Sequence, residues 1–455
     1  MKIKIYLIIV ALFGLSILNA QQNQECMEKL SIFDQAAKVK NYEAAYEPWM
    51  FVRKTCPKLN NAIYVRGEKI LKHKIKKANG AEKTAYVNDL IALYKESMVN
   101  MPSKFPVGKT TAKIGQIMFN ENVGTPADQF NVFDEAFTKD EKTFTNPQSL
   151  YAYFKLMVGL FDSGAKDFNN LIDLYTVVTD KVEAEEKNYS SKKDPLVVKD
   201  ENGTITSKET KRLNSYDSYL KGYATISKGI DKELGERANC DKLVPLFEKN
   251  FEENKTNAVW LRKAASRLAG KDCSDAPIFA KLVASFHSLE PSDKSALYLG
   301  ILNQKKGKIA DAEKYFGQAA ELSSDNYDKA KIYYRTAVMF KKKGAKSKAR
   351  SYANKTVASS PSFGKAYLLI AGMYASSAND CGTTAFEKRA TYWLAANMAD
   401  KAGKADASLK SSAAKSAANY RAKAPSRQDI FTEGMAGKKL TIGCWINSSV
   451  TVPTL

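Results

Sequence analysis

Histidine is almost absent: only His73 and His287 occur in 455 residues. An imidazole metal triad is therefore impossible, and a Ser-His-Asp relay has two candidate bases at most. Their settings, Leu71-Lys72-His73-Lys74 and Phe286-His287-Ser288 ahead of Pro291, are charged or helix-end positions. Glycine and proline are scarce for this length, at 24 and 13. Alternating strand-type runs are nearly missing before the last thirty or so residues, while Ala, Lys, Leu and Glu dominate, which favours helices. No two of the six cysteines form a Cys-X-X-Cys pair, so zinc-ribbon and thioredoxin-like chemistry find no support. Beyond the first twenty residues no apolar run approaches the roughly 20 residues of a membrane span.

The start of the chain has the order of an export signal. Lys2 and Lys4 precede the apolar run Leu7–Leu18, Leu18-Asn19-Ala20 offers a small residue for cleavage, and Gln21-Gln22-Asn23-Gln24 follows. The run is short for a membrane anchor. The expectation is a signal peptide over 1–20 and a periplasmic mature chain with no transmembrane segment, outer-membrane association being the variant. One compact core rarely grows to the roughly 435 residues that remain, so several domains or one elongated array are expected. The formal charge of +21 falls to +19 without Lys2 and Lys4. The lysines are spread along every segment, as on a solvated surface; the functional alternative is attraction to an acidic polymer, lipid headgroup or protein. Export and the excess of lysine over arginine argue against a nucleic-acid partner.

A repeat emerges in the second half. Leu299-Gly300, Gly307, Ala312, Phe316 and Ala319 recur as Ala337, Phe340, Gly344, Ala349 and Ala353, with Gly307–Gly344 and Ala312–Ala349 both 37 residues apart. Small residues let two helices of a hairpin cross closely, and large ones fill the space toward the next hairpin. A third first-helix follows at Ala366–Ala375. Its second helix is displaced by an insertion around Ser376–Thr384 and resumes at Phe386–Lys401. Tyr42, Ala45, Trp49, Val52 and Pro57, then Tyr86, Leu90, Tyr94 and Pro102, fit the same theme more loosely. Four further helices are expected at Thr110–Asn120, Ala127–Thr138, Pro147–Asp162 and Lys166–Lys187. Polar Asn188–Glu209, with Asp194-Pro195 and Asn202-Gly203, reads as an exposed connection between two long helices. After Ala424-Pro425, the β-prone run Lys439–Ile446 can pair with Val450-Thr451-Val452.

These residues imply an all-α, right-handed solenoid of tetratricopeptide-like helical hairpins with a small C-terminal β-hairpin cap. The expected divisions are divergent repeats at 21–165, a long antiparallel hairpin with a polar tip at 166–235, the repeat array at 236–424 and the cap at 425–455. The chain resembles the periplasmic tetratricopeptide repeat proteins of Bacteroidota that lack a characterised activity. Asn379-Asp380-Cys381-Gly382, Tyr392-Trp393-Leu394-Ala395-Ala396 and Ile442-Gly443-Cys444-Trp445-Ile446 carry the resemblance. It implies location and fold, and no catalytic residues.

Candidate chemistry is sparse. Pro106-Val107-Gly108-Lys109-Thr110-Thr111 looks like the end of a phosphate-binding loop, but Ser103 stands where the loop needs glycine, and a helix start is expected instead. Glu185-Glu186 and Glu252-Glu253 have the spacing of solvated helix faces rather than of a glycosidase pair. No enzyme activity, metal or cofactor is expected. The preferred function is a non-enzymatic scaffold for a protein or peptide of the cell envelope, with Tyr298, Asn303, Tyr334 and Lys341 as exposed groove residues on first helices. The alternatives are a binder of acidic envelope polymer or lipid headgroups, and a component of a secretion or gliding assembly. Helical-hairpin geometry selects disulfides Cys26–Cys56 and Cys240–Cys273, since the start of one helix lies beside the end of the next; Cys381 and Cys444 remain for each other.

Overall fold

The computed structural model describes residues 23–455; the expected signal at 1–20 lies outside them. The chain divides near Leu171 into two compact units.

The first unit stacks antiparallel helices α1 (23–38), α2 (Tyr42–Thr55), α3 (Ala62–Lys77), α4 (Gly80–Asn100), α5 (Val107–Glu121), α6 (Pro126–Asp140) and α7 (Pro147–Asp162). Local signals explain several boundaries. Thr125 and Asp128 form a capping box around Pro126, and Asn146 caps the helix that opens at Pro147. Trp49 is fully buried, and its indole N–H donates to the Ile63 carbonyl at 2.7 Å. A β-carbon at Gly67 would fall 2.6 Å from that indole, and one at Gly115 would fall 2.8 Å from the Phe133 ring. The small-against-large contact of the repeat thus extends into this half, where both Gly67 and Gly115 escaped the sequence reading. The loop that resembled a phosphate cradle is a helix start filled from within. Gly108 N–H donates to the Asp140 carboxylate at 3.1 Å and Lys109 N–H to the Thr143 hydroxyl at 3.0 Å.

The second unit contains most of the long helix α8 (Phe168–Glu201) and its partner α9 (Ser207–Leu234). The helical pairs follow: α10 (Cys240–Asn254), α11 (Ala258–Gly270), α12 (Pro277–Leu289), α13 (Asp293–Lys305), α14 (Ile309–Leu322), α15 (Asn326–Lys342), α16 (Lys346–Ser359), α17 (Gly364–Ala375) and α18 (Ala385–Ala405). Helices α19 (Lys410–Lys423) and α20 (Arg427–Thr432) lead to the antiparallel strands β1 (Lys439–Ile442) and β2 (Ser448–Thr451), paired from Lys439↔Thr451 to Ile442↔Ser448. The fold is an all-α arrangement of helical hairpins with a small C-terminal β-hairpin. Gly307 and Gly344 close the α13–α14 and α15–α16 turns with φ of 73° and 75°. The next N–H groups, of Lys308 and Ala345, return to the Asn303 and Phe340 carbonyls, which satisfies the helix ends.

Three expectations need correction. Asn188–Glu209 is not a connection, because α8 continues through Pro195 to Glu201 and only the segment around Gly203 turns. The polar residues there are held by partners from the array, which offsets the cost of an internal proline. Glu185-Glu186 is not a solvated pair: Glu185 is buried beside Lys181 at 3.0 Å, and Glu186 accepts from the Tyr327 hydroxyl. Finally, β1 stops at Ile442, and Cys444 and Asn447 turn the chain with φ of 51° and 36°. Trp445 in that turn donates to the Ser377 hydroxyl at 3.0 Å and packs on Tyr374, so it serves tertiary contact rather than strand pairing.

Disulfides join Cys26 to Cys56, Cys240 to Cys273 and Cys381 to Cys444. The last links the insertion between α17 and α18 to the turn of the β-hairpin.

Candidate functional site

Helix α8 runs along the face formed by the first helices of successive pairs. Near its start, Arg267 of α11 pairs with Asp173 at 3.4 Å and donates to Thr176. Further along, Lys331 of α15 pairs with Glu183 at 2.5 Å, and Lys187 with Asp328 at 3.0 Å. Asp194 then accepts from the Ser362 backbone at 2.9 Å and the Ser360 hydroxyl at 3.1 Å, just ahead of α17. On its other flank, Tyr175 reaches Asp231 of α9 and Tyr189 stacks on Tyr219, the reversed order of an antiparallel pair. Most of these contacts to the array are polar.

Where α8 stands off from α11, α13 and α15, a cleft of about 620 Å³ remains. Helical spacing builds its walls. Lys331, Arg335, Val338 and Lys342 recur along one stripe of α15, Lys294, Tyr298 and Ile301 along one of α13, and Arg262 and Ser266 along α11. Phe363, whose ring centroid is 5.1 Å from that of Tyr334, closes one side beside Lys365. Asp180 and Glu183 of α8 face the array across the cleft.

The charges are not balanced. Six lining side chains are cationic and four anionic. Burial works to raise the Glu183 carboxyl, but the ammonium groups of Lys331, Lys294 and Lys187 together hold it below the usual range. Asp328 is shared by Lys187 and Lys294. Among the described residues, Arg262, Arg335, Lys342 and Lys365 have no ion pair or hydrogen bond to another residue's side chain. Tyr298 is 6% exposed, and burial pushes its phenol up to about 12.

No family model and no curated protein sequence matches the chain. Solved structures similar to it include the following three. The crystal structure of MamA is 17% identical with a TM-score of 0.26, over 48% of this chain and 96% of that one. The APC/C hetero-tetramer Cut9–Hcn1 is 10% identical with a TM-score of 0.31, over 89% and 98%. Yeast Tom70 is 12% identical with a TM-score of 0.30, over 90% and 90%.

Of the four residues expected in a groove, the cleft brings together Tyr298 and Tyr334. Neither is freely exposed: Tyr298 is buried and Tyr334 half-buried against Phe363, because aromatic rings on first helices also fill space between hairpins. Asn303 donates to the Leu299 carbonyl at 2.9 Å and lies outside the lining. Lys341 is exposed in the last turn of α15, one position from Lys342, and is also outside it. The sequence reading missed Arg262, Arg335 and Lys342. Their stripe spacing was visible, but the absence of partners was not. His287 contacts the Ser295 hydroxyl at 2.9 Å, and His73 packs on Tyr42 near Glu43. Among the described residues no group of three or more His, Cys, Asp or Glu is placed to hold a metal ion, and no helix is long and apolar enough to cross a membrane.

Proposed function

We propose that this chain is a non-enzymatic scaffold, exported to the periplasm, that holds a protein or peptide partner through its helical-pair array. The observation that carries this reading is the docking of α8: the first helices of successive pairs form one face that already holds a helical segment by side-chain contacts. Such a face is suited to an elongated segment presented at regular intervals. Where α8 stands off, the same face stays open.

A photo-crosslinker placed at Lys342, inside the cleft, tests the reading against one at Lys314, exposed on the outer face of α14. In native envelopes the Lys342 position is expected to give a discrete protein adduct that the Lys314 position does not. Equal adducts at both positions, or none at Lys342, refute it. N-terminal sequencing of the envelope form is expected to begin at about Gln21; an intact Met1 refutes the export reading.

A further inference from the structure

The cleft beside α8 has more chemistry than a protein-docking face requires. Four of its six cations come from three elements: Arg262 from α11, Arg335 and Lys342 from α15, and Lys365 from the start of α17. None is spent on an internal ion pair, whereas neighbouring Lys331 and Lys294 are. Unpaired guanidinium groups converging on one space select an anion, and their forked donors suit phosphate oxygens.

Two further features narrow the ligand. Gln304 lines the cleft, and its side-chain oxygen is buried without a hydrogen-bond partner. Asp180, on the opposite wall, has no hydrogen bond or ion pair to another side chain among the described residues. A carboxylate and an orphaned amide oxygen ask for donors, which a bare anion lacks and a hydroxyl-bearing molecule supplies. The Tyr334 and Phe363 rings line the same space with Leu297, Ile301 and Val338, a surface for the apolar face of a ring. The volume of about 620 Å³ is within the range of small-molecule sites.

We propose that this cleft binds a phosphorylated sugar: phosphate on Arg262, Arg335 and the neighbouring lysines, hydroxyls on Asp180 and Gln304, and the ring against Tyr334 and Phe363. The site goes beyond the protein-partner reading and does not depend on it. The same chemistry can arrive as a free sugar phosphate or as the headgroup of a lipid.

Calorimetric titration of the purified chain with glucose 6-phosphate, glucosamine 6-phosphate and glucose 1-phosphate tests the proposal, with glucose and inorganic phosphate as the partial ligands. At least one sugar phosphate is expected to bind ten times or more tightly than both partial ligands. Arg335→Ala and Asp180→Asn are each expected to weaken it about tenfold. Neither residue forms a salt bridge or a hydrogen bond to another side chain among the described residues, so the helical circular-dichroism signal should persist, and Lys314→Ala should change nothing. A second arm uses phosphatidylcholine vesicles with and without phosphatidylinositol. Retention on the latter alone, lost in Arg335→Ala, assigns the ligand to a lipid headgroup; binding of free sugar phosphate without retention assigns it to a soluble one. The proposal is overturned if no sugar phosphate outcompetes inorganic phosphate and no vesicle retains the protein, or if binding survives both substitutions. An adduct at Lys342 in that case leaves the scaffold reading standing.

Discussion

Lys193 of α8 is 1% exposed, and its ammonium lies 2.5 Å from the Ala405 carbonyl at the last residue of α18 and 2.6 Å from the Asp217 carboxylate on α9. One side chain therefore ties the long hairpin to the far end of the array. It also serves a carbonyl that the helix itself leaves unsatisfied. Replacing it with Met keeps most of the volume but strands both oxygens. Lys193→Met is expected to cost about 2–4 kcal/mol in urea unfolding and to make the turn at Gly203 more sensitive to limited proteolysis. A loss below about 0.5 kcal/mol, typical of a surface change, would contradict this role.

Gly300 and Phe316 hold α13 against α14. A β-carbon on Gly300 would sit 2.4 Å from the phenyl ring, closer than atoms can approach. Gly300→Ala is expected to destabilise by about 1–3 kcal/mol. Pairing it with Phe316→Leu, which withdraws the ring edge, should recover part of that loss. Thermal unfolding of the single and double variants reads the coupling, and strict additivity would dissociate the two positions.

The Cys381–Cys444 bridge spans 63 residues of sequence and Cys26–Cys56 spans 30. In the chain-entropy account the longer loop contributes roughly 4 kcal/mol and the shorter about 0.7 kcal/mol less. The double serine variant at Cys381 and Cys444 is expected to lower the melting temperature and to shift Trp445 fluorescence to the red as the hairpin loosens from Tyr374 and Arg350. Unchanged emission would mean that Trp445 and Arg350 hold the hairpin without the bridge.

Glu183 and Glu186 lie on one helix yet respond to acid with opposite signs. Burial raises the Glu186 carboxyl above its ordinary value, against the pull of Lys331 and the Tyr327 hydroxyl. The folded chain therefore takes up that proton first, and the penalty of the buried charge fades as pH falls through the raised value. At Glu183, burial is outweighed by Lys331 together with Lys294 and Lys187 and the carboxyl is lowered, so its contribution is complete at neutral pH and disappears as pH falls through the folded value. Glu186→Gln is expected to be more stable than the parent at pH 7, and Glu183→Gln less stable. Both gaps should close toward acid pH and stay under about 1 kcal/mol, since Glu183 and its partner Lys331 are each 42% exposed. Urea unfolding at neutral and acid pH measures them; gaps of the same sign would contradict the assignment.

Helix periodicity and small-residue spacing are properties of a single hairpin, so they are written locally. Gly307 and Gly344 mark turns because only an unsubstituted residue adopts that backbone cheaply, and the interval between them carries the repeat. Pro147 and Asp162 bound a helix that the sequence already delimits, through Asn146 as cap and proline at the first position. The sequence by itself thereby determined the helical class, the hairpin unit and the β-prone end. What only the tertiary structure decided is where α8 lies. Its polar stretch 188–201 carries the composition of a loop, and nothing local says that Lys193 and Asp194 find partners at Ala405, Ser360 and Ser362. The cleft depends on the same long-range fact. Arg262 and Arg335 are ordinary surface residues on their own helices, and they become part of one cleft because α8 lies across them, pairing with Lys331 and Arg267 but, among the described residues, forming no salt bridge to Arg262 or Arg335. Electrostatic pairing is settled by distances between elements far apart in sequence, which residue spacing within one helix cannot encode.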